Sequence, residues 1–474
     1  MPVSSRYRPA LAVTDLGPDF YDAVVPARFP LHRQRYRNQR WAARVGLDTL
    51  DDAEWERHFA AFTPLPDNLP LPLALRYHGH QFRSYNPALG DGRGFLFAQL
   101  RDAGDDRLLD LGTKGSGPTP WSRDGDGRLT LKGGVREVLA TAMLEALGVY
   151  TSKSFSLFET GEMLFRGDEP SPTRSSVLVR LSHSHVRFGT FQRYAHRGEH
   201  PQLARLLDYA VQQHYPALAA PAVADTPAAF LREVCRRSAD LAASWMMAGF
   251  VHGVLNTDNM NVTGESFDYG PYRFLPTYDP DFTAAYFDHH GLYAYGRQPA
   301  VMEWNLGQLA HALTPLTPRP GLEAALATYG PAFEAALITR FLVRLGLVAR
   351  GPDDDAALGS AVFRFLAESQ VGYEQFFFDW YGGTTSADRA RQSPAAAFYE
   401  HASFGAARRA LDDYAPLAPS RLADPYFQQA KPCTLLIDEI EALWDAIAGT
   451  DDWSLFTAKL DAIADMRAVL QGGD

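Results

Sequence analysis

The chain has 474 residues, enough to bury a sizeable core and to form two or three domains or lobes. Its 46% hydrophobic and 21% charged content is that of a soluble globular enzyme, and a net charge of -11 argues against a nucleic-acid binder, which needs a dominant basic surface. Cys235 and Cys433 have no metal-type spacing and make no disulfide framework in so long a chain, so a reducing, cytoplasmic setting is the expectation.

The opening MPVSSRYRPALAVTDLG lacks the apolar core of a signal peptide. Residues 1–75 are rich in proline and aromatics, with a predicted helix at 51–61, and read as an extension wrapped over a neighbouring domain. Strand-like runs then dominate from 76 to about 187, at 94–100, 108–114 and 176–181. One helix interrupts them at 131–147, where Val135, Val138, Leu139, Met143 and Leu147 fall at helical spacing. After Phe191 the pattern turns helical, with predicted helices at 201–215, 227–248, 301–313, 322–345, 356–368 and 437–448. The most apolar segment, 241–255, is broken by Ser244, Gly249 and His252 and is not a membrane span.

The chemistry concentrates in FVHGVLNTDNMNVTGESFDYG, residues 250–270. Protein kinases hold their metals with H-R-D-x-x-x-x-N followed by D-F-G. His252 and Asn259 keep that spacing here, and Asp268-Tyr269-Gly270 follows. Asn and Asp are the hard oxygen donors that Mg²⁺ takes from protein, one or two at a time. Val254 stands where a kinase has its base, and the nearest carboxylate is Asp258. Either catalysis is lost or another group removes the proton.

Upstream, Lys114 ends the run LLDLGT and Glu137 sits in the following helix, an arrangement that kinases use to fix a cation over phosphates. GDGRG at 90–94 offers a close backbone approach to phosphates, or an ordinary hairpin turn. A second GDGR at 125–128 fails as a calcium loop, because Leu129 and Val135 stand where Gly and a bidentate Glu are required; a turn beside a nucleotide fits better. Arg180 and Arg187 bracket VRLSHSHVRFG and either grip a polyphosphate or make solvated salt bridges. His183 and His185, like His289 and His290, lack zinc-site partners and read as hydrogen-bonding residues.

With these residues in order, the chain resembles the selenoprotein O family, protein adenylyltransferases with a protein-kinase-like fold. The resemblance is carried by YHGHQF, NPALGDGRG, LGTKGSGPTPWSRDGDGR, REVLATAMLEALGV, HSHVRFGTF, GFVHGVLNTDNM, DYGPYRFL and QPAVMEWNL, from about residue 76 to 313. It implies an α+β, two-lobed kinase-like fold: a small mixed α/β N-lobe at 76–190 and a larger helical C-lobe at 191–395, with an N-terminal extension at 1–75 and a helical C-terminal extension at 396–474. It also implies a flipped nucleotide whose α phosphate faces the acceptor.

On that resemblance Lys114 meets phosphate and pairs with Glu137. Gly90, Gly92, Arg93, Asp126, Gly127, Arg180 and Arg187 surround ATP together with Asp268. Asn259 and Asp268 hold Mg²⁺ or Mn²⁺, and Asp258 is the proton acceptor. The implied activity is AMP transfer from ATP to Ser, Thr or Tyr hydroxyls of protein partners. UMP transfer from UTP and a non-catalytic nucleotide-binding scaffold are the alternatives. Many family members end in a Cys- or selenocysteine-bearing tail; this sequence ends LQGGD, so a terminal-thiol redox role is not carried over.

Overall fold

The computed structural model describes residues 4–167, 169–219 and 225–472. Its main sheet is antiparallel and follows the path Tyr21–Ala23, Leu73–Leu75, Leu96–Arg101, Leu108–Lys114, Thr173–Ser182, Lys153–Leu164 and Arg33–Arg37. Pro9–Ala10 adds to Leu96–Arg101, and Leu129–Thr130 to Thr173–Ser182. Strands from the first 75 residues are thus built into the same sheet as those that follow.

The two central strands, Leu108–Lys114 and Thr173–Ser182, are buried almost throughout, because both faces of the sheet are covered. Alternation sorts their side chains. Val177, Val179 and Leu181 join Trp41, Trp55, Phe59, Phe62 and Phe155 on one face, whereas Leu178 points into the larger core on the other. Lys114 pairs with Leu178 and Gly112 with Arg180, so Lys114 and Arg180 share the face of Leu178.

That face carries the helix Leu131–Ala146. Thr130 caps it, its Oγ1 accepting from Gly133 N at 3.1 Å, and Val135, Val138, Leu139 and Met143 are buried as their spacing requires. Gly134 allows the close approach: a Cβ there would lie 2.6 Å from Leu157 Cδ1 and 2.7 Å from Ser176 Oγ. The approach delivers Glu137 to the sheet.

The helical part is built around Thr226–Met247, which packs against Tyr329–Leu345 and Gln298–Leu313. This helix runs into Phe250–Val251, which pairs antiparallel with Arg273–Phe274. The ladder closes the base of the 252–272 loop. At the far end of the chain, Ile437–Thr450 and Ser454–Gln471 return to the sheet side, the latter packing on Leu131–Ala146. Asp451 between them is clasped by Arg35 at 2.8 Å and Arg174 at 2.7 Å.

Several predicted elements differ. The helix expected at 322–345 is two, Arg319–Leu326 and Tyr329–Leu345, because Pro331 lacks the N–H and the space to continue a helix through it. Lys153–Leu164 and Phe188–His196 were not predicted, nor was Ser454–Gln471. Among the described residues no helix is long and apolar enough to cross a membrane.

Candidate active site

The sheet face and the closed loop converge on one group of charges. Lys114 Nζ lies 2.6 Å from Glu137 Oε2 and 2.7 Å from Asp268 Oδ1. Arg180 Nη1 lies 3.2 Å from Glu137 Oε1 and 3.3 Å from the same Asp268 oxygen. Two cations therefore face two carboxylates, and each charge has opposite neighbours to offset its burial. Burial alone would raise the Asp268 pKa, but Lys114, Arg180, Arg93 and Arg187 together hold it well below the usual carboxylate range. Asp268 is in the left-handed region at φ 64, which a short polar side chain tolerates better than most.

In front of this group opens a cavity of about 780 Å³. Gly90, Gly92, Arg93, Asp126, Gly127, Arg187, Asp258, Asn259 and Asp268 all line it. Lys114, Glu137 and Arg180 lie behind the lining, buried, and reach it through Asp268. Arg180 and Arg187 are not solvated arginines. Arg187 donates to the Asp258 carbonyl at 2.9 Å and to Asp91 Oδ1 at 3.2 Å, with its guanidinium 4.3 Å from the centre of the Tyr77 ring.

The two GDGR loops, far apart in sequence, meet at the rim. Thr119 Oγ1 donates to the Asp91 carbonyl and Ser122 Oγ to the Gly92 carbonyl. Gly90 and Gly92 permit this, since Cβ atoms there would lie 2.4 Å from Trp121 Cγ and 2.7 Å from the Trp121 carbonyl oxygen. Gly127, at φ 67, would clash with the Gly117 backbone at 2.2 Å. Asp126 is held by Arg166 at 2.9 Å.

Within the 252–272 loop, His252 Nε2 donates to the Phe267 carbonyl at 3.0 Å and so ties its two halves together. Asn259 Nδ2 donates to the Val254 carbonyl at 3.0 Å, which leaves its Oδ1 as the free end. Asp258 sits on the short 3₁₀ turn Thr257–Asn259, and its buried Oδ1 has no hydrogen-bond partner. Burial pushes its carboxyl up to about 6, against the pull of Arg187.

His183 shares a hydrogen bond with the Tyr150 hydroxyl, and His185 lies 3.2 Å from Asp110. His289 and His290 are exposed. No cluster of three His, Cys, Asp or Glu side chains suited to a metal occurs among the described residues. Asn259 Oδ1 and the Asp268 carboxylate nevertheless fit a hard cation that takes few protein oxygens and the rest from phosphate and water. Asn256, which the sequence places beside Asp258 and Asn259 in the 250–270 stretch, lines the cavity too, as do Tyr77, Trp121, Arg123 and Arg166, which were not singled out from the sequence. Trp121 and Arg123 carried a signal through their place beside the second GDGR, and Tyr77 through the motif YHGHQF.

Comparison with known proteins decides the family. Residues 3–464 match the family described as protein adenylyltransferase SelO. The chain belongs to the SelO family. It is 48% identical to the protein nucleotidyltransferase YdiU of Gloeobacter violaceus over 459 residues, 95% of this chain and 93% of that protein. Against the YdiU proteins of Synechocystis sp. and Trichodesmium erythraeum the identity is 44%, covering 95% and 98% of this chain and 96% and 99% of theirs. The SelO membership makes the chain a nucleotidyltransferase, an enzyme whose substrate carries phosphates.

Proposed function

We propose that this enzyme moves AMP from ATP to Ser, Thr or Tyr hydroxyls of proteins and releases pyrophosphate. The observation that carries the reading is Asp258: a buried carboxylate with an unpartnered oxygen, lining the same cavity as Asn259 and Asp268, while Val254 occupies the kinase-base position and also lines it. A carboxyl raised to about 6 is a competent proton acceptor near neutral pH.

In this reading Asp258 takes the acceptor proton. Lys114, fixed by Glu137, and Arg180 hold Asp268 in place, and Gly90, Gly92, Arg93, Asp126, Gly127 and Arg187 surround the nucleotide. Asn259 and Asp268 are the residues that hold Mg²⁺ or Mn²⁺, and the cation, when bound, supplies charge neutralisation at the phosphates.

The fold is read as kinase-like and two-lobed. The strand Lys, the helix Glu and the closed loop carrying Asn259 and Asp268 support this, with the small lobe at 76–190, the helical lobe at 191–395 and the extensions at 1–75 and 396–474. The buried, unpaired Cys235 and Cys433 support a reducing, cytoplasmic setting.

The test is transfer of label to acceptor protein from α-labelled but not γ-labelled ATP. Transfer from the γ position makes the protein a kinase and overturns the reading. The same assay with α-labelled UTP determines which nucleotide is preferred.

A further inference from the structure

Five arginines line the cavity, and three of them are engaged. Arg128 binds Glu162, Arg166 binds Asp126, and Arg187 binds Asp91 and the Asp258 carbonyl. The other two are Arg93, from the first GDGR loop, and Arg123, just before the second. Among the described residues neither guanidinium has a hydrogen-bond or ion-pair partner. Yet both are close enough to act on carboxylates, Arg93 on Asp268 and Arg123 on Asp258.

The loop that presents Arg123 is built, not slack. Arg123 and Asp124 both adopt left-handed backbone, at φ 47 and 66, and Gly125 N closes the turn on the Ser122 carbonyl at 2.8 Å. The Thr119 and Ser122 hydroxyls then fasten it to the first loop. The two positive φ values are the dihedrals of a tight two-residue turn, which holds Arg123 at a defined place on the cavity rim. A free guanidinium is a planar fork of donors that matches phosphate.

We propose that Arg123 is a phosphate-binding residue of the transfer site, acting from the second loop as Arg93 acts from the first. The proposal rests on the nucleotide-transfer reading and adds a residue to it. In the step, the acceptor oxygen forms a bond to the α phosphorus and its proton passes to Asp258. The bond from that phosphorus to the oxygen bridging the β phosphate breaks, and pyrophosphate leaves with its electron pair. Arg123 offsets negative charge on the phosphates as this happens.

Calorimetry of ATP and of adenosine against the wild type, Arg123→Ala and Arg123→Lys tests the assignment. Arg123→Ala should weaken ATP by about tenfold or more and leave adenosine unchanged, with Arg123→Lys in between. Since Arg123 is exposed, all three proteins should melt at the same temperature. Equal ATP affinity in wild type and Arg123→Ala overturns the assignment, as does an equal loss for adenosine. If the wild type moves no α label but the alanine variant still loses ATP selectively, the transfer reading fails and the phosphate role stands.

Discussion

At the scale of single residues, the cavity assigns different burdens to its carboxylates. Asp268 is stabilised as an anion by four cations, whereas Asp258 is buried with one oxygen unpartnered. Such a group is kept at a cost to stability. Asp258→Ala should therefore leave the unfolding midpoint unchanged or raised, keep ATP affinity, and lower transfer at saturating nucleotide by about 10² to 10⁴. Retained turnover, or loss of ATP binding along with activity, would remove the proton-acceptor role. Asp268→Ala removes the anion that Lys114 and Arg180 both face. ATP affinity measured with and without Mg²⁺ should then become equal, and a persisting metal dependence would take Asp268 out of the cation site. A cation beside Asp258 would favour its ionised form. The protein alone works in the opposite direction, because burial outweighs Arg187.

At the scale of elements, what the sequence revealed depended on how the element is stabilised. Leu108–Lys114 and Leu131–Ala146 were legible because their runs and spacing of apolar residues speak for themselves. Lys153–Leu164 was not. It reads as polar, yet its serines are buried and satisfied within the fold, Ser156 by Trp55 Nε1 at 3.0 Å and Ser154 by Thr141 at 3.0 Å. The individual site residues were legible as motifs, but the joining of the two GDGR loops was not, since hydrogen bonds from Thr119 and Ser122 to backbone carbonyls leave no pattern in sequence. That junction makes a prediction. Gly127→Ala puts a Cβ against the Gly117 backbone in a left-handed conformation, so it should cost about 1 to 3 kcal/mol in denaturant unfolding and weaken ATP. An unchanged midpoint and affinity would show that the rim tolerates separation.

At the scale of the whole molecule, the sheet, the helix bearing Glu137 and the returning C-terminal helices form one packed body around buried polar groups. One of these lies away from the cavity. His214 is buried, both ring nitrogens lack partners, and burial lowers its pKa from 6.5 to about 4. Above the unfolded value both states are neutral and its contribution is complete. As pH falls below 6.5 only the unfolded chain takes up the proton, and stability is lost until about pH 4. Glu265, raised to about 7 by burial, works in the opposite sense over the same window, so the comparison must isolate His214. Between about pH 7 and about pH 5, His214→Phe should lose roughly 2 kcal/mol less stability than the wild type. Parallel losses in the two proteins would mean that His214 is protonated in the fold.

The central claim is that the chain transfers a nucleotide through Asp258 and not a terminal phosphate through a kinase base. Intact-mass spectrometry of an acceptor protein after incubation with ATP, Mg²⁺ and the purified enzyme tests it most directly. The account predicts a mass gain of one adenylyl group, lost with Asp258→Ala. A gain of one phosphoryl group, or an adenylyl gain that survives Asp258→Ala at the wild-type rate, would contradict it.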